Sequence, residues 1–140
     1  MAIVPKEHPL AKYSEVGPEQ VNNENVLLLG EGHCFRDQVI EALPAINQNT
    51  NESGLIRTVA EGSSLETLCY MVASGLGITI LPKSATEVSS FQATNLLAIP
   101  FSDNGPKRTT ALAWRASFPR HQAIDVLRKA ILTSDPKLSD

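Results

Sequence analysis

Residues 64–82 read SLETLCYMVASGLGITILP, in which a helical pattern passes into a strand pattern within a few residues. Ser64 is a favoured N-cap residue, because its hydroxyl can accept a hydrogen bond from the first helical turn. The glycines of residues 75–77 predict the end of that helix, and the apolar run at 78–82 predicts a strand. The apolar residues on one helix face are Leu65, Leu68, Met71 and Val72. This segment therefore predicts a helix–turn–strand unit.

Strand and helix patterns alternate along most of the chain. The run at 26–29 is wholly apolar, as expected for a strand covered on both faces. Strand patterns lie at 2–4, 26–29, 55–59, 78–82, 96–99 and 109–114, and helix patterns at 34–42, 64–74 and 119–132. A polar loop is predicted at 47–54, a short helical segment at 84–89 and a turn at 103–106. This alternation predicts an α/β fold with a mainly parallel sheet and flanking helices.

Composition narrows the class of protein. The 140 residues suit one domain, and 12 basic against 15 acidic residues give a net charge of −3. A free-standing nucleic-acid binder needs a basic surface for phosphate contacts, so we expect no DNA binding by this chain alone. No apolar run reaches the roughly 20 residues of a membrane span, and the N-terminus does not resemble a secretion signal. We expect a cytoplasmic protein without membrane contact, whose two cysteines form no structural disulfide.

Residues 30–37 read GEGHCFRD and carry the most informative chemical pattern. Cys34 falls at or next to the first helical residue, where free N–H groups and the helix dipole favour a thiolate. His33 and Arg36 would add positive charge or hydrogen bonds, whereas Asp37 would oppose the thiolate, so the net effect stays open. Two interpretations of Cys34 remain, a reactive thiol and a small buried packing residue.

A second helix start lies at residues 62–67. Ser63, Ser64 and Thr67 offer hydroxyls beside free N–H groups, which is typical of an anion or carboxylate site. The same pattern is typical of an ordinary N-cap, so both interpretations stay open. Cys69 follows among apolar neighbours and is interpreted as structural or interfacial.

Other chemical motifs are absent from the sequence. The histidines at 8, 33 and 121 are too scattered to indicate a metal site. The glycines at 75–77 follow a helix rather than a strand, which does not fit a dinucleotide fingerprint. Neither a Walker loop nor a G-x-S-x-G motif is present. The sequence therefore predicts no metal and no cofactor.

The segment 64–82 resembles the effector-binding domain of LysR-type transcriptional regulators. HPLA at 8–11 resembles the turn after that family's first hinge strand, and RTTALAWR at 108–115 resembles its closing segment before a final helix. The resemblance covers nearly the whole chain. It implies the LysR substrate-binding fold, a periplasmic-binding-protein-like fold of type II with two lobes.

The same resemblance implies a division of residues 1–140. The second lobe would occupy about 5–107, and the returning strand and helix of the first lobe would occupy about 108–134. We therefore expect an incomplete effector-binding domain without the N-terminal winged helix-turn-helix. DNA would be contacted only through that absent N-terminal domain.

Within this family, GHCFRDQ at 32–38 resembles the peroxide sensors of the OxyR group. The resemblance implies that Cys34 is the redox-active thiol and that His33 and Asp37 are its neighbours. Arg108 would approach the thiolate from the second hinge. These residues would form the redox site, while Ser63, Ser64 and Thr67 would form an effector site.

One position departs from the pattern of the two-cysteine OxyR proteins. They carry a resolving cysteine nine residues after the first, and the corresponding residue here is Leu43. Cys69 does not occupy that position either. The oxidation product is therefore left open between a sulfenic acid, a mixed product with an external thiol, and a bond to Cys69 after rearrangement.

We expect the regulatory domain of a hydrogen-peroxide-sensing transcription factor rather than an enzyme. The resemblance implies a homo-oligomer, a dimer with a tetramer in the full-length protein, and places helix 64–74 at the dimer contact near Cys69. The alternative is an effector domain that binds a small anionic metabolite at Ser63 and Ser64, with Cys34 structural. A thiol peroxidase that turns over at Cys34 is a third interpretation.

Overall fold

The computed structural model describes residues 1–48, 61–87, 95–102 and 105–134. The chain divides into two compact units, Met1–Lys107 and Arg108–Asp140. None of the described helices has the length and apolar character needed to cross a membrane.

The described strands of the first unit form a single five-stranded sheet. The strands are β1 Ala2–Pro5, β2 Val26–Leu29, β3 Glu61–Gly62, β4 Ile78–Ile80 and β5 Leu96–Ile99, in the order β3-β2-β4-β1-β5. β2 pairs in parallel with β3 and β4, whereas β1 runs antiparallel to β4 and β5. β2, β3, β4 and β5 thus share one direction. The predicted α/β sheet with flanking helices is confirmed, and four of its five described strands share one direction. Because the reversed β1 makes both antiparallel pairings, the sheet is mixed rather than mainly parallel.

Helices flank this sheet. The described helices of the first unit are α1 Pro18–Asn22, α2 Cys34–Ala42, α3 Leu65–Ala73 and α4 Lys83–Thr86, with 3₁₀ turns at Pro9–Lys12 and Pro44–Gln48. The predicted helices at 34–42 and 64–74 are thereby confirmed. The positions of their ends follow from local sequence, because a capping serine precedes α3 and Pro44 follows α2.

The apolar run of β2 packs against helices on both faces of the sheet. Val26 and Leu28 belong to a core cluster that includes Val39 of α2. Leu27 and Leu29 belong to a second cluster, together with Leu68, Cys69 and Val72 of α3. Successive residues of a strand point to opposite faces, so α2 and α3 cover opposite faces. This double burial is the physical reason for the uninterrupted apolar sequence of β2.

A glycine turn joins α3 to β4 and is held to the start of β2. Gly77 has a φ of +155°, and a Cβ at this position would clash with the backbone oxygen of Asn25. The Asn25 side chain donates to the Leu76 oxygen at 2.6 Å, and the Ile78 N–H donates to the Asn25 oxygen at 2.9 Å. Only glycine allows this close approach of two backbones.

The second unit contains the helix α5 His121–Ser134, which confirms the helix predicted at 119–132 within two residues. The strand predicted at 109–114 is wrong, because these residues belong to no strand and are exposed. A strand needs backbone hydrogen bonds to a neighbour, and the described strand pairings all lie within Met1–Lys107.

Some predictions fall wholly or partly outside the described residues. The strand at 55–59 is one of them, and most of the loop at 47–54 is another. Parts of the predicted helical segment at 84–89 and of the predicted turn at 103–106 also lie outside the described residues. β3 begins at Glu61, two residues beyond the end of the predicted strand.

Candidate functional site

Cys34 is the first residue of α2, and its side chain is exposed. The chain leaves β2 at Leu29 and turns through Gly32, whose φ of +88° favours glycine. His33 is the N-cap residue, and its backbone oxygen accepts from the Arg36 N–H at 2.9 Å. The predicted placement of the thiol at the helix start is therefore confirmed. The alternative of a small buried packing residue is wrong, because Cys34 is exposed.

His33, Cys34 and Asp37 lie together around the first turn of α2. All three are exposed, and the His33 side chain makes no capping hydrogen bond. Asp37 is the acidic residue of this turn, as its position three residues after Cys34 predicts. Arg108 is also exposed, but it belongs to the second unit. Its approach to the thiol stays a prediction.

Arg36 has a different role from the one considered in the sequence. Its Nη1 atom donates to the Leu29 backbone oxygen at 2.8 Å and to Glu61 Oε1 at 2.7 Å. The guanidinium is thus engaged by the ends of β2 and β3. Sequence reasoning missed Glu61, because no local pattern links residues 25 positions apart.

The second helix start shows the bonds of an N-cap. Ser64 Oγ accepts from the Thr67 N–H at 3.1 Å and lies 3.0 Å from Thr67 Oγ1. Ser63 Oγ lies 3.4 Å from the same hydroxyl oxygen. The three predicted effector residues are therefore brought together, and they bond to one another. This geometry favours the N-cap interpretation of the cluster.

The two helix starts share one edge of the sheet. α2 follows β2 and α3 follows β3, and these strands are parallel neighbours. The Gly30 N–H donates to the Gly62 oxygen at 3.2 Å, which joins the two strand ends. Ligands of open α/β sheets bind at this carboxyl edge. Cys34 and Ser64 thus both follow strands that end at the edge where a ligand is expected.

Cys69 differs from Cys34 in its burial. It is 7% exposed and lies in the core cluster that packs α3 on the sheet. Burial raises the pKa of the Cys69 thiol, and the nearby Glu66 carboxylate raises it further. Both cysteines are free. Cys69 is thus a buried core residue, as its apolar neighbours predict, and a place at a subunit contact stays a prediction.

Known proteins resemble this chain over most of its length. A probable hydrogen peroxide-inducible genes activator of Streptomyces viridosporus is 34% identical over 92% of the chain and 40% of its own length. The HTH-type transcriptional regulator EstR of Acinetobacter baylyi is 36% identical over 78% of the chain and 34% of its own length. The chain therefore spans well under half of the length of either curated relative.

Among solved structures, the reduced OxyR regulatory domain from Pseudomonas aeruginosa is 45% identical, with a TM-score of 0.72. The match covers 93% of this chain and 59% of that one. Residues 1–135 match the LysR substrate binding domain. The family match over residues 1–135 and the likeness to a solved structure agree. The chain therefore belongs to the LysR substrate-binding domain family.

Proposed function

We propose that this chain is the regulatory domain of a hydrogen-peroxide-sensing transcription regulator, switched by oxidation of Cys34. The observation that carries the proposal is the exposed, free thiol at the first residue of α2. The names of the relatives support it, because one is a probable hydrogen peroxide-inducible activator and another is OxyR. No turnover is involved, so the protein acts as a sensor rather than as an enzyme.

The proposed reaction is a two-electron oxidation of sulfur. The Cys34 thiolate attacks one oxygen of hydrogen peroxide, an S–O bond forms and the O–O bond breaks. The product is a sulfenic acid, and the departing hydroxide takes up a proton to become water. His33 supplies or relays that proton, since its imidazole is exposed and is not used as a cap. In this proposal Arg108 adds positive charge from the second hinge, and Asp37 orients the first turn.

The proposed oligomer is a homodimer formed along α3. Tyr70 is 59% exposed and Leu76 is 52% exposed, so large apolar groups lie on the solvent side of this helix and the turn after it. Apolar side chains of this size favour burial in a protein contact. A Tyr70→Ser variant should shift the association equilibrium towards monomer in sedimentation experiments. A distribution unchanged from wild type would exclude this contact.

The remaining parts of the proposal concern the full-length protein. Residues 5–107 would form the second lobe of the effector domain, and 108–134 would return to the first lobe. DNA would be bound through an N-terminal domain of the kind that the HTH-type relative's name denotes. The full-length protein would work as a tetramer in the cytoplasm.

A second candidate is an effector domain for a small anionic metabolite. The observation behind it is the cluster of three hydroxyls at the start of α3. The hydroxyls of Ser63, Ser64 and Thr67 at the start of α3 would receive the anion. Cys34 would then have no part in signalling.

Intact-mass analysis after brief exposure to peroxide tests the redox proposal. The wild type should gain about 16 Da, one oxygen atom, at low peroxide excess. Cys34→Ser should gain none under the same conditions, whereas Cys69→Ser should behave as the wild type. An unmodified wild type, or equal oxidation of Cys34→Ser, would overturn the proposal and favour the metabolite.

A further inference from the structure

We propose that Arg36 and Glu61 form a positioning pair that holds the first turn of α2 in its reduced arrangement and yields when Cys34 is oxidised. This inference rests on the proposed redox role of Cys34. It concerns the response to oxidation rather than the oxidation step, and neither residue contacts the peroxide.

A single nitrogen of Arg36 makes two hydrogen bonds. Arg36 Nη1 carries two hydrogens, and the structure gives both a partner, the Leu29 oxygen at 2.8 Å and Glu61 Oε1 at 2.7 Å. The Arg36 side chain is 16% exposed, whereas that of Glu61 is 41% exposed. A largely covered guanidinium is therefore fixed between a strand end and a carboxylate at the surface. Lysine keeps the charge, but its side chain is shorter and does not carry a nitrogen to the position of Arg36 Nη1.

The pair is attached to the helical turn that carries the thiol. Arg36 is two residues from Cys34 in the same helical turn, and its N–H closes that turn on the His33 oxygen. Glu61 begins β3, a strand of two residues that pairs with Leu28 and Leu29. The pair thus joins the thiol-bearing turn to a short strand that is also held by its pairing with β2 and by packing of Gly62 near Leu68 of α3.

The strength of the ion pair suits a modest effect on the opening equilibrium of the first turn of α2. A partly exposed ion pair changes a local equilibrium by a few-fold, not by orders of magnitude. Loss of the pair should therefore leave the fold intact and shift only the opening of the first turn. We expect opening to increase on the order of fivefold when the charge of Glu61 is removed.

Hydrogen exchange of the backbone amide of residue 36, which donates to the His33 oxygen, measures that opening directly. In the reduced protein, Glu61→Gln and Arg36→Lys should both exchange about fivefold faster than the wild type. Glu41→Gln provides the matched control, since it removes the same charge from an exposed residue near the other end of α2. It should exchange at the wild-type rate. Equal exchange in Glu61→Gln and wild type would overturn the proposal.

A second arm separates coupling to oxidation from a merely structural role. Oxidation should accelerate exchange of the residue 36 amide less in Glu61→Gln than in the wild type, because the variant has already lost the ion pair. An identical acceleration in the two proteins would mean additive effects and would overturn the coupling. The rate of Cys34 oxidation itself should stay within about twofold of wild type. If wild-type Cys34 is not oxidised at all, the proposed function fails, while the reduced-protein arm still decides the positioning role.

Discussion

Cys34 and Leu43 lie at opposite ends of α2 with opposite exposure. The Cys34 thiol is open to solvent, whereas Leu43 is the C-cap residue, 1% exposed, and belongs to the core cluster of Val39 and Ile46. Nine residues of helix separate their Cα atoms by roughly 13 Å. Disulfides need Cα atoms within about 7 Å, so this geometry forbids a bond between the two positions while α2 is intact.

Introducing a cysteine at position 43 tests whether intact α2 prevents a disulfide between positions 34 and 43. We expect Leu43→Cys to lose about 1–2 kcal/mol of stability, because one sulfur replaces three carbons in the core. On treatment with peroxide it should form a disulfide to Cys34 only together with unwinding of α2. A mass loss of about two hydrogens reports the disulfide. Helical ellipticity and amide exchange at 35–42 report the unwinding of α2. Leu43→Ala is the control without a thiol, and a disulfide formed while these amides stay protected would contradict the expectation.

The buried thiol predicts a loss of stability at alkaline pH. Burial and then Glu66 raise the pKa of Cys69 above its ordinary value of 9.0. The unfolded chain therefore releases this proton first, so the contribution of the thiol is complete below about pH 9 and is lost as the pH rises through the folded pKa. Urea denaturation between about pH 7 and 10 should show a steeper alkaline decline in wild type than in Cys69→Ala. Parallel profiles for the two proteins would refute this prediction.

Two glycines of the turn after α3 differ in what a side chain would meet. A Cβ on Gly75, with a φ of +77°, has no neighbour within 4 Å, whereas one on Gly77 would clash with the Asn25 oxygen. Gly75→Ala should cost about 1 kcal/mol through backbone strain alone. Gly77→Ala should cost about 3 kcal/mol, because the clash separates the turn from β2. Urea or thermal unfolding measures both, and equal losses would show that the contact with Asn25 is unimportant.

Neighbouring serines before α3 make another matched pair. Ser64 Oγ accepts from the Thr67 N–H, so Ser64→Ala should cost about 1 kcal/mol in the free energy of unfolding. Ser63 makes only a hydroxyl contact at 3.4 Å, and Ser63→Ala should cost less than about 0.5 kcal/mol. Chemical denaturation compares the two. A larger loss for Ser63→Ala would mean that the cap is formed differently.

Local chemistry made part of the site predictable. The start of α2 at Cys34 follows from the glycines at 30 and 32 and from a periodic apolar face, and such signals act within one or two turns. The cap at Ser64 is equally local. The partner of Arg36 was not predictable, because an arginine followed by an aspartate gives no indication of a glutamate 25 residues away.

The sequence by itself determined the positions of β1, β2, β4 and β5, the ends of α2 and α3 to within a residue, and the helix-start position of Cys34, because each depends on residues a few positions apart. Only the tertiary structure decided the reversed direction of β1, the pairing of Arg36 with Glu61, and the contrast between an exposed Cys34 and a buried Cys69. It also decided that residues 109–114 form no strand. These features depend on which distant segments of the chain come into contact. Hydrogen bonding and burial arise from those contacts and not from any short stretch of sequence.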